Sequence, residues 1–239
     1  MFAEKIEDYI LYEDKEIIVC HKPAGIAVQT ARIGAPDMES AMKNYLALKI
    51  KNLRSVPYLG VVHRLDQPVE GIIVFAKTPK AAKELIRQMT AEEMKKVYLA
   101  VTEKCSSRKS GMLQNWLKKD GRTNTSSVVK EGTQGAKKAR LSYEIVEEHG
   151  TQEKRYLVRI QLETGRHHQI RVQMAYLGYP LLGDQKYGTE ESVKKSTELG
   201  VRNVALCAYS LDLEHPITKE RMGFICKPEN PVFEMFDGK

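Results

Sequence analysis

The chain has 239 residues, 42% hydrophobic and 29% charged, a composition typical of a globular protein with one large domain or two packed subdomains. No apolar run approaches the about 20 residues that a membrane helix needs, and no export pattern opens the chain, so we expect a cytoplasmic protein. The four cysteines are scattered and predict neither a zinc site nor disulfides. The net charge of +7 is compatible with a nucleic-acid partner, and equally with a basic protein that has none.

The first half of the chain is predicted to alternate strands with helices. Apolar and β-branched runs predict strands at 17–19, 58–62 and 71–76. A turn, Lys-Pro-Ala-Gly at 22–25, follows the first strand. An amphipathic pattern predicts a helix over 37–52, with candidate core residues Met38, Ala41, Met42, Tyr45, Leu46 and Leu48. Thr78 and Pro79 are typical of a helix start and predict a second helix over 79–93.

The second half is predicted to be richer in strands. Alternating apolar and polar residues predict strands at 96–101, 139–147, 156–163, 204–213 and 220–226. Residues 104–138 are polar and basic, and we interpret them as hairpin ends and loops, with 184–202 as a surface excursion. A helix is predicted to begin near His167 and to end at Gly178. Together these elements predict an α+β fold with a mainly antiparallel sheet and few helices.

Two polar segments interrupt this pattern where a core would prefer apolar residues. The first is His63-Arg64-Leu65-Asp66, between two predicted strands, where an acid can project from a rigid framework. A surface turn with a solvated salt bridge explains the same residues. The second segment, 165–171, contributes hydrogen-bond donors at a predicted helix start, which also favours anions. A solvated basic helix face is its simpler interpretation. On a helix the adjacent His167 and His168 would point in different directions, so we predict no metal site.

Five motifs resemble those of the RluA-type pseudouridine synthases. The two longest are HRLDQPVEGIIVFAKT, which begins at His63, and ETGRHHQIRVQMAYLGYPLLGDQKYG, which begins at Glu163. HKPAGIAVQ, KKVYLAV and ALCAYSLDLEHP match further family segments. All five occur in the family's order and together span roughly residues 17 to 226. Their agreement in order is far more specific than one short motif.

The resemblance implies a pseudouridine synthase fold, in which a central, mainly antiparallel sheet forms two subdomains with flanking helices around a central active-site cleft. It matches Asp66 to the family's essential aspartate, Tyr98 to the tyrosine that packs against the target base, and Arg171 to the arginine that pairs with the aspartate. Arg64 matches a residue that, in at least one relative, replaces the flipped-out nucleotide. Further RNA contacts are predicted for His63, Arg166, His168 and Gln169. The substrate would be a uridine in ribosomal or transfer RNA.

The chemistry of this reaction fits those residue types. Forming pseudouridine breaks the bond between ribose and base, rotates the base and joins carbon-5 to the sugar, so no cofactor, metal or nucleotide is required. A carboxylate can attack an electrophilic carbon or accept a proton from the ribose. Both routes need it ionised, and a guanidinium nearby favours that form. We therefore expect Arg171 to face Asp66.

The sequence departs from the family at several of these positions. Val69, Glu70 and Gly71 stand where the family usually has Thr-Ser-Gly, so small hydroxyl groups are lost and an acid is gained near Asp66. Glu70 would repel phosphate if it lined the RNA path. His167 replaces Thr or Ser, and Gln173 and Cys207 each replace a frequent His. These changes affect the choice of RNA more than the chemistry.

We expect one catalytic domain over 1–239, monomeric, not bound to membranes and without an accessory RNA-binding domain. Two alternatives differ in class. A non-catalytic RNA-binding protein with the same fold would not need Asp66. A glycosidase or hydrolase would use Asp66 as nucleophile, but glycosidases usually pair two carboxylates. Glu70 is the nearest second acid in the sequence.

Overall fold

The computed structural model describes residues 2–32, 34–50, 56–105 and 108–236. Its strands are β1 (Ile10–Glu13), β2 (Ile17–Lys22), β3 (Gly60–Val61), β4 (Glu70–Ala76), β5 (Lys95–Thr102), β6 (Ser110–Asp120), β7 (Thr125–Val129), β8 (Lys137–His149), β9 (Arg155–Leu162), β10 (Leu206–Glu214) and β11 (Arg221–Ile225). Its α-helices are α1 (Met38–Lys49), α2 (Pro79–Thr90), α3 (Gln169–Tyr176) and α4 (Glu190–Glu198). Short 3₁₀ helices cover Phe2–Tyr9 and Pro231–Phe236.

Two units divide the chain, and neither is continuous in sequence. The first comprises Met1–Met94 and Ala208–Lys227, and the second comprises Lys95–Cys207 and Pro228–Lys239. The first unit therefore receives most of β10, and all of β11, from the far end of the chain. That the two units act as one catalytic domain stays a prediction.

In the first unit, β4 is the centre of the sheet. The strand order is β1-β2-β4-β10, with β11 paired to β10 and β3 paired to β4. Strands β2 and β4 run antiparallel and are buried along their whole length, and most of their residues are apolar. Their register places Lys22 opposite Gly71, so the ends of both strands lie side by side.

Helix α1 packs on this sheet and begins where the sequence predicts. The Asp37 side chain accepts the backbone N–H of Ser40 at 2.7 Å, the bond typical of a helix N-cap. Met38, Ala41, Met42 and Leu46 join the core, and Tyr45 packs against it. The prediction for Leu48 is wrong, since its side chain is 67% exposed on the solvent face. The predicted helix end at 51–52 lies outside the described residues.

Helix α2 also begins as predicted. Thr78 accepts the N–H of Ala81, and Pro79 occupies the first turn, where its missing N–H costs nothing. The helix ends at Thr90, three residues before the predicted end.

The second unit contains a five-stranded sheet in the order β5-β9-β8-β6-β7 with every pairing antiparallel. The interpretation of 104–138 as hairpin ends and loops is wrong for 110–120 and 125–129, because these residues form β6 and β7. Strand β6 alternates exposed and half-buried residues, and Leu117 is its one buried side chain. Because so little of this hairpin is buried, its sequence lacks the apolar alternation that marks a strand.

Residues 184–202, interpreted as a surface excursion, are mostly exposed, but the stretch also includes a helix that the sequence did not predict. It contains α4, whose N-cap Thr189 accepts the N–H of Ser192. This helix is polar around most of its surface, so periodicity does not reveal it. Asp184, the first residue of the stretch 184–202, is 2% exposed and belongs to the interior of the unit.

The α+β class and the mainly antiparallel sheet are confirmed. Strands predicted from apolar runs are present, and the predicted closing strands correspond to β10 and β11. Within the described ranges, no helix combines the length and the apolar character needed to cross a bilayer.

Gly71 provides a test of the packing between β4 and β10. Its φ is +116°, and a Cβ atom there would lie 2.5 Å from the backbone N and O of Ala208. We expect Gly71→Ala to lower the free energy of unfolding by more than about 3 kcal/mol, since neither the conformation nor the space suits a side chain. Urea unfolding followed by circular dichroism measures this.

Gly132→Ala is the matched control for that substitution. Gly132 also has a positive φ, +83°, but nothing lies within 4 Å of the Cβ position. Its loss is expected to be about 1 kcal/mol, from backbone strain alone. Equal losses in the two variants would show that close approach to Ala208 does not constrain this position.

Candidate active site

Asp66 lies in the first unit, on the loop that connects β3 to β4. Its side chain is partly exposed, whereas the neighbouring Leu65 is buried and anchors the loop. The backbone N–H of Val69 donates to the Asp66 carbonyl at 3.0 Å, which closes a tight turn. An acid is thus held on a short, rigid segment directly before a buried strand.

The loop of Asp66 is fastened to the turn that follows β2. The Gln67 carbonyl accepts the N–H of Gly25 at 2.8 Å, and the Gln67 side-chain amide donates to the Gly25 carbonyl at 3.0 Å. These reciprocal bonds join two segments more than 40 residues apart in sequence. The position of Asp66 therefore depends on the turn at 22–25.

Lys22 is the buried cation of this turn, with no exposed surface. Its ammonium donates to the carbonyls of Pro23 (2.9 Å), Ile26 (2.7 Å) and Gln67 (3.2 Å). Burial lowers the pKa of Lys22 to about 7, while the Asp66 and Glu70 carboxylates act in the opposite direction. The lysine interacts electrostatically with Asp66 and is also bonded to its loop.

Glu70 is the first residue of β4 and is only 1% exposed. Its carboxylate lies 3.8 Å from Nε2 of His21 and interacts electrostatically with Lys22. Because its side chain is buried, Glu70 does not line an exposed RNA path, and the phosphate repulsion considered from the sequence does not arise. The acid that replaces the family's usual hydroxyl is part of an internal charged cluster.

His63 and Arg64 precede Asp66 and have different environments. Nε2 of His63 accepts the backbone N–H of Val74 in β4 at 3.1 Å, so this nitrogen carries no proton and the ring ties the loop to the sheet. Arg64 is exposed. Of the two, Arg64 is the side chain that faces solvent beside Asp66.

Arg171 lies in the second unit, in α3, where it is 3% exposed. Its Nε and Nη2 donate to the two carboxylate oxygens of Asp184, each at 2.7 Å. Its guanidinium also lies over the Tyr187 ring, 5.1 Å from the centroid. The sequence predicts an Arg171–Asp66 pair, which stays a prediction, and did not predict the bidentate pair with Asp184.

The prediction that His167 and His168 point in different directions is wrong. Both residues precede α3, and His168, at the N-cap, has a positive φ of 54°. The two rings consequently stack, with centroids 3.7 Å apart. His168 Nδ1 is hydrogen-bonded to the Tyr187 hydroxyl at 2.7 Å, and His167 bonds to Ser126 and Asn124 in and beside β7.

The remaining predicted site residues of the second unit are mostly engaged within the protein. Gln169 is buried, and it accepts from Thr164 and from the N–H of Arg166 and donates to the Arg140 carbonyl. Arg166 is exposed, and its Nε donates to the Lys138 carbonyl. Tyr98 is a buried residue of β5, 8% exposed.

The sequence predicted no role for Lys22, which is bonded to the loop of Asp66, or for Asp184, which accepts two hydrogen bonds from Arg171. Both lie within family-like motifs, HKPAG and LLGDQKYG, so a signal was present. A lysine before a proline and an aspartate after a glycine are ordinary turn residues, and only their burial distinguishes them. Burial depends on distant segments that a local pattern does not identify.

The fold and these residues define an α+β protein in which Asp66 lies on a short loop directly before β4. The family model described as RNA pseudouridylate synthase matches residues 16–176, more than half of the chain. The chain is 33% identical to ribosomal large subunit pseudouridine synthase D of Pseudomonas aeruginosa over 98% of its own length and 71% of that protein. It is 35% identical to the protein of the same name from Vibrio cholerae, with the same coverage.

A solved structure titled human RNA pseudouridylate synthase domain containing 4 has the same fold, with a TM-score of 0.77 at 22% identity over 99% of this chain and 95% of that one. The chain belongs to the RluA-type RNA pseudouridine synthase family, whose enzymes isomerise uridine in RNA to pseudouridine. Membership of this family of enzymes excludes the two alternatives considered from the sequence, a glycosidase or hydrolase and a non-catalytic RNA-binding protein.

Lys22→Met tests the charge state of the buried lysine. Between the folded pKa of about 7 and the usual 10.5, the unfolded chain binds a proton that the folded protein has released. Wild-type stability therefore gains a contribution as pH rises from 7 to 10, and the variant lacks it. We expect the free energy of unfolding of the wild type, relative to Lys22→Met, to increase by a few kcal/mol over this range in urea titrations.

Lys80→Met, at an exposed position of α2, is the control and should follow the wild type at every pH. A constant difference between wild type and Lys22→Met from pH 7 to 10 would mean that Lys22 remains protonated throughout.

Proposed function

We propose that this enzyme isomerises a uridine of large-subunit ribosomal RNA, with Asp66 as the catalytic carboxylate. The observation that supports Asp66 most directly is its loop, which Lys22 and Gln67 hold at the start of β4. The ribosomal substrate is supported by the names of the relatives, since both bacterial proteins are described as large-subunit enzymes. Ribosomal RNA is a cytoplasmic substrate, so the proposal places the protein there.

The reaction assigns a simple requirement to Asp66. The bond between the ribose and N1 of the base breaks, the base rotates, and a bond forms between the ribose and carbon-5. Carbon-5 then loses its proton and N1 gains one, so nothing is oxidised or reduced. An ionised carboxylate serves this sequence by attacking carbon or by accepting a ribose proton. Lys22 interacts electrostatically with Asp66 and donates to the Gln67 carbonyl of the same loop, which supports a fixed position for the carboxylate.

Two side chains of the second unit complete the proposal. Arg171 would donate to Asp66 or to the RNA beside it, and its guanidinium is already fixed on one edge by Asp184. Tyr98 would pack against the target base and assist removal of the carbon-5 proton. Its burial in β5 supports a platform of fixed orientation.

The uridine must leave its stack before reaction, which typically costs a few kcal/mol. Arg64 is exposed beside Asp66 and would fill the space of the flipped nucleotide. Arg166 and exposed lysines of β6 and β8, Lys118, Lys119, Lys137 and Lys138, would contact phosphates. His63, His168 and Gln169 bond within the protein, and their predicted RNA contacts stay predictions.

Tritium release from RNA labelled at carbon-5 of uridine tests the catalytic proposal. Large-subunit ribosomal RNA and, separately, transfer RNA from cells lacking this protein are incubated with wild type and Asp66→Asn. We expect release from ribosomal RNA by wild type and a rate at least about a thousandfold lower for Asp66→Asn, because the amide is neither a nucleophile nor a base.

Unchanged thermal unfolding and unchanged RNA binding of Asp66→Asn serve as the controls. Normal turnover by this variant would refute the role of Asp66. Release from transfer RNA alone would keep the chemistry and reject the ribosomal substrate.

Tyr98→Phe separates the ring from the hydroxyl. The ring still packs, so we expect a folded protein that binds RNA as well as wild type does. Its single-turnover tritium release should be slower by about a hundredfold, the typical contribution of a positioned acid or base. A fully active variant would exclude an essential hydroxyl at this position.

A further inference from the structure

The contacts of Asp184 show a carboxylate that is itself immobilised. Besides Arg171, its Oδ1 accepts the backbone N–H groups of Lys186 at 3.0 Å and Tyr187 at 3.2 Å. The side chain is 2% exposed, so water does not compete for these bonds. Asp184 is therefore a fixed acceptor at the start of a tight turn, with both oxygens directed at Arg171.

Arg171 is held from a second direction by Tyr187. The ring lies beneath the guanidinium, and its hydroxyl accepts the N–H of Ser126 at 2.8 Å while bonded to His168 at 2.7 Å. The same turn thus supplies an acid to one edge of the guanidinium and an aromatic face to its plane. Together these contacts define both its position and its tilt.

We propose that Asp184 is a positioning residue that orients the Arg171 guanidinium for catalysis. The proposal rests on the role given to Arg171 above. A guanidinium has five N–H groups in a rigid plane, and Asp184 accepts from the Nε–Nη2 edge, so the plane and the direction of the opposite edge are set. Without this support the Arg171 side chain would rotate about several bonds, and this conformational freedom would be lost at each catalytic event.

Asp184→Asn is the informative substitution, because it is isosteric. The Oδ1 atom of asparagine still accepts from the N–H groups of Lys186 and Tyr187. The amide nitrogen that replaces Oδ2 cannot accept from Nε of Arg171. We expect the single-turnover rate of tritium release to fall by about a hundredfold, with the Kd for RNA changed less than about twofold. Thermal unfolding shows the fraction of folded protein.

Glu103→Gln provides the matched control in the same unit. Glu103 lies 3.9 Å from Nη2 of Arg155, and both side chains are less than a tenth exposed. This variant also loses a buried acid beside an arginine, and we expect its rate per folded molecule to equal that of wild type. An equal fall in rate in both variants would mean that any lost buried pair slows the enzyme, and the proposal would be wrong.

A second pair of variants tests whether Asp184 acts through Arg171. Arg171→Lys keeps the charge but removes the planar fork, and we expect Asp184→Asn to slow this variant less than twofold further. Independent, multiplicative losses would overturn the proposal. If Asp184→Asn does not fold, Asp184→Glu replaces it, because an added methylene moves the carboxylate and should lower the rate by a similar factor.

The orientation of Arg171 can be measured without turnover. In ¹⁵N NMR spectra, the Nε–H resonance of Arg171, assigned by its loss in Arg171→Lys, should be sharp and slow to exchange in wild type. Asp184→Asn should broaden it, and Glu103→Gln should leave it unchanged. This result without tritium release from any RNA would reject the proposed function while keeping the orientation. A resonance unaffected by Asp184→Asn would reject the orientation itself.

Discussion

The burial of the Lys22 ammonium constrains the segment on which the proposed chemistry depends. An ammonium without water must place each proton on an acceptor, and Lys22 finds three backbone carbonyls. Two belong to its own turn and the third to Gln67, next to Asp66. The antiparallel register of β2 and β4 makes this possible, because it sets Lys22 opposite Gly71. The placement of Asp66 thus follows from the pairing of β2 and β4.

The two units hold their functional groups by different electrostatic means. In the first, a buried cation is bonded to neutral carbonyls and interacts with the Asp66 and Glu70 carboxylates over a longer range. In the second, the cation is Arg171 and its compensating charge, Asp184, is in direct contact. Burying such charges costs stability, and a hydrophobic core would hold the backbone as well. What the charged groups add is a defined orientation of donors and acceptors.

The extent to which the sequence predicts this protein depends on the range of the interactions. Apolar runs and helix caps are local, and they correctly predict the strands β2, β4 and β5 and the starts of α1 and α2. Polar elements that bury few side chains, β6, β7 and α4, escape the same reasoning. The stacking of His167 on His168 follows from the left-handed backbone conformation of His168, which no sequence pattern predicts. The Gln67 acceptor of Lys22 and the Asp184 acceptor of Arg171 lie 45 and 13 residues away, beyond any local signal.

The order in which the strands are synthesised exposes the first unit to a hazard. Its central strand β4 is complete about 130 residues before β10, the neighbour that covers one of its edges. At the ribosome this interval lasts on the order of ten seconds. Throughout it, a largely apolar strand presents unpaired backbone groups, the template that intermolecular β-aggregation requires. The nascent chain therefore has a period in which β4 is an aggregation-prone edge that the finished fold does not yet protect.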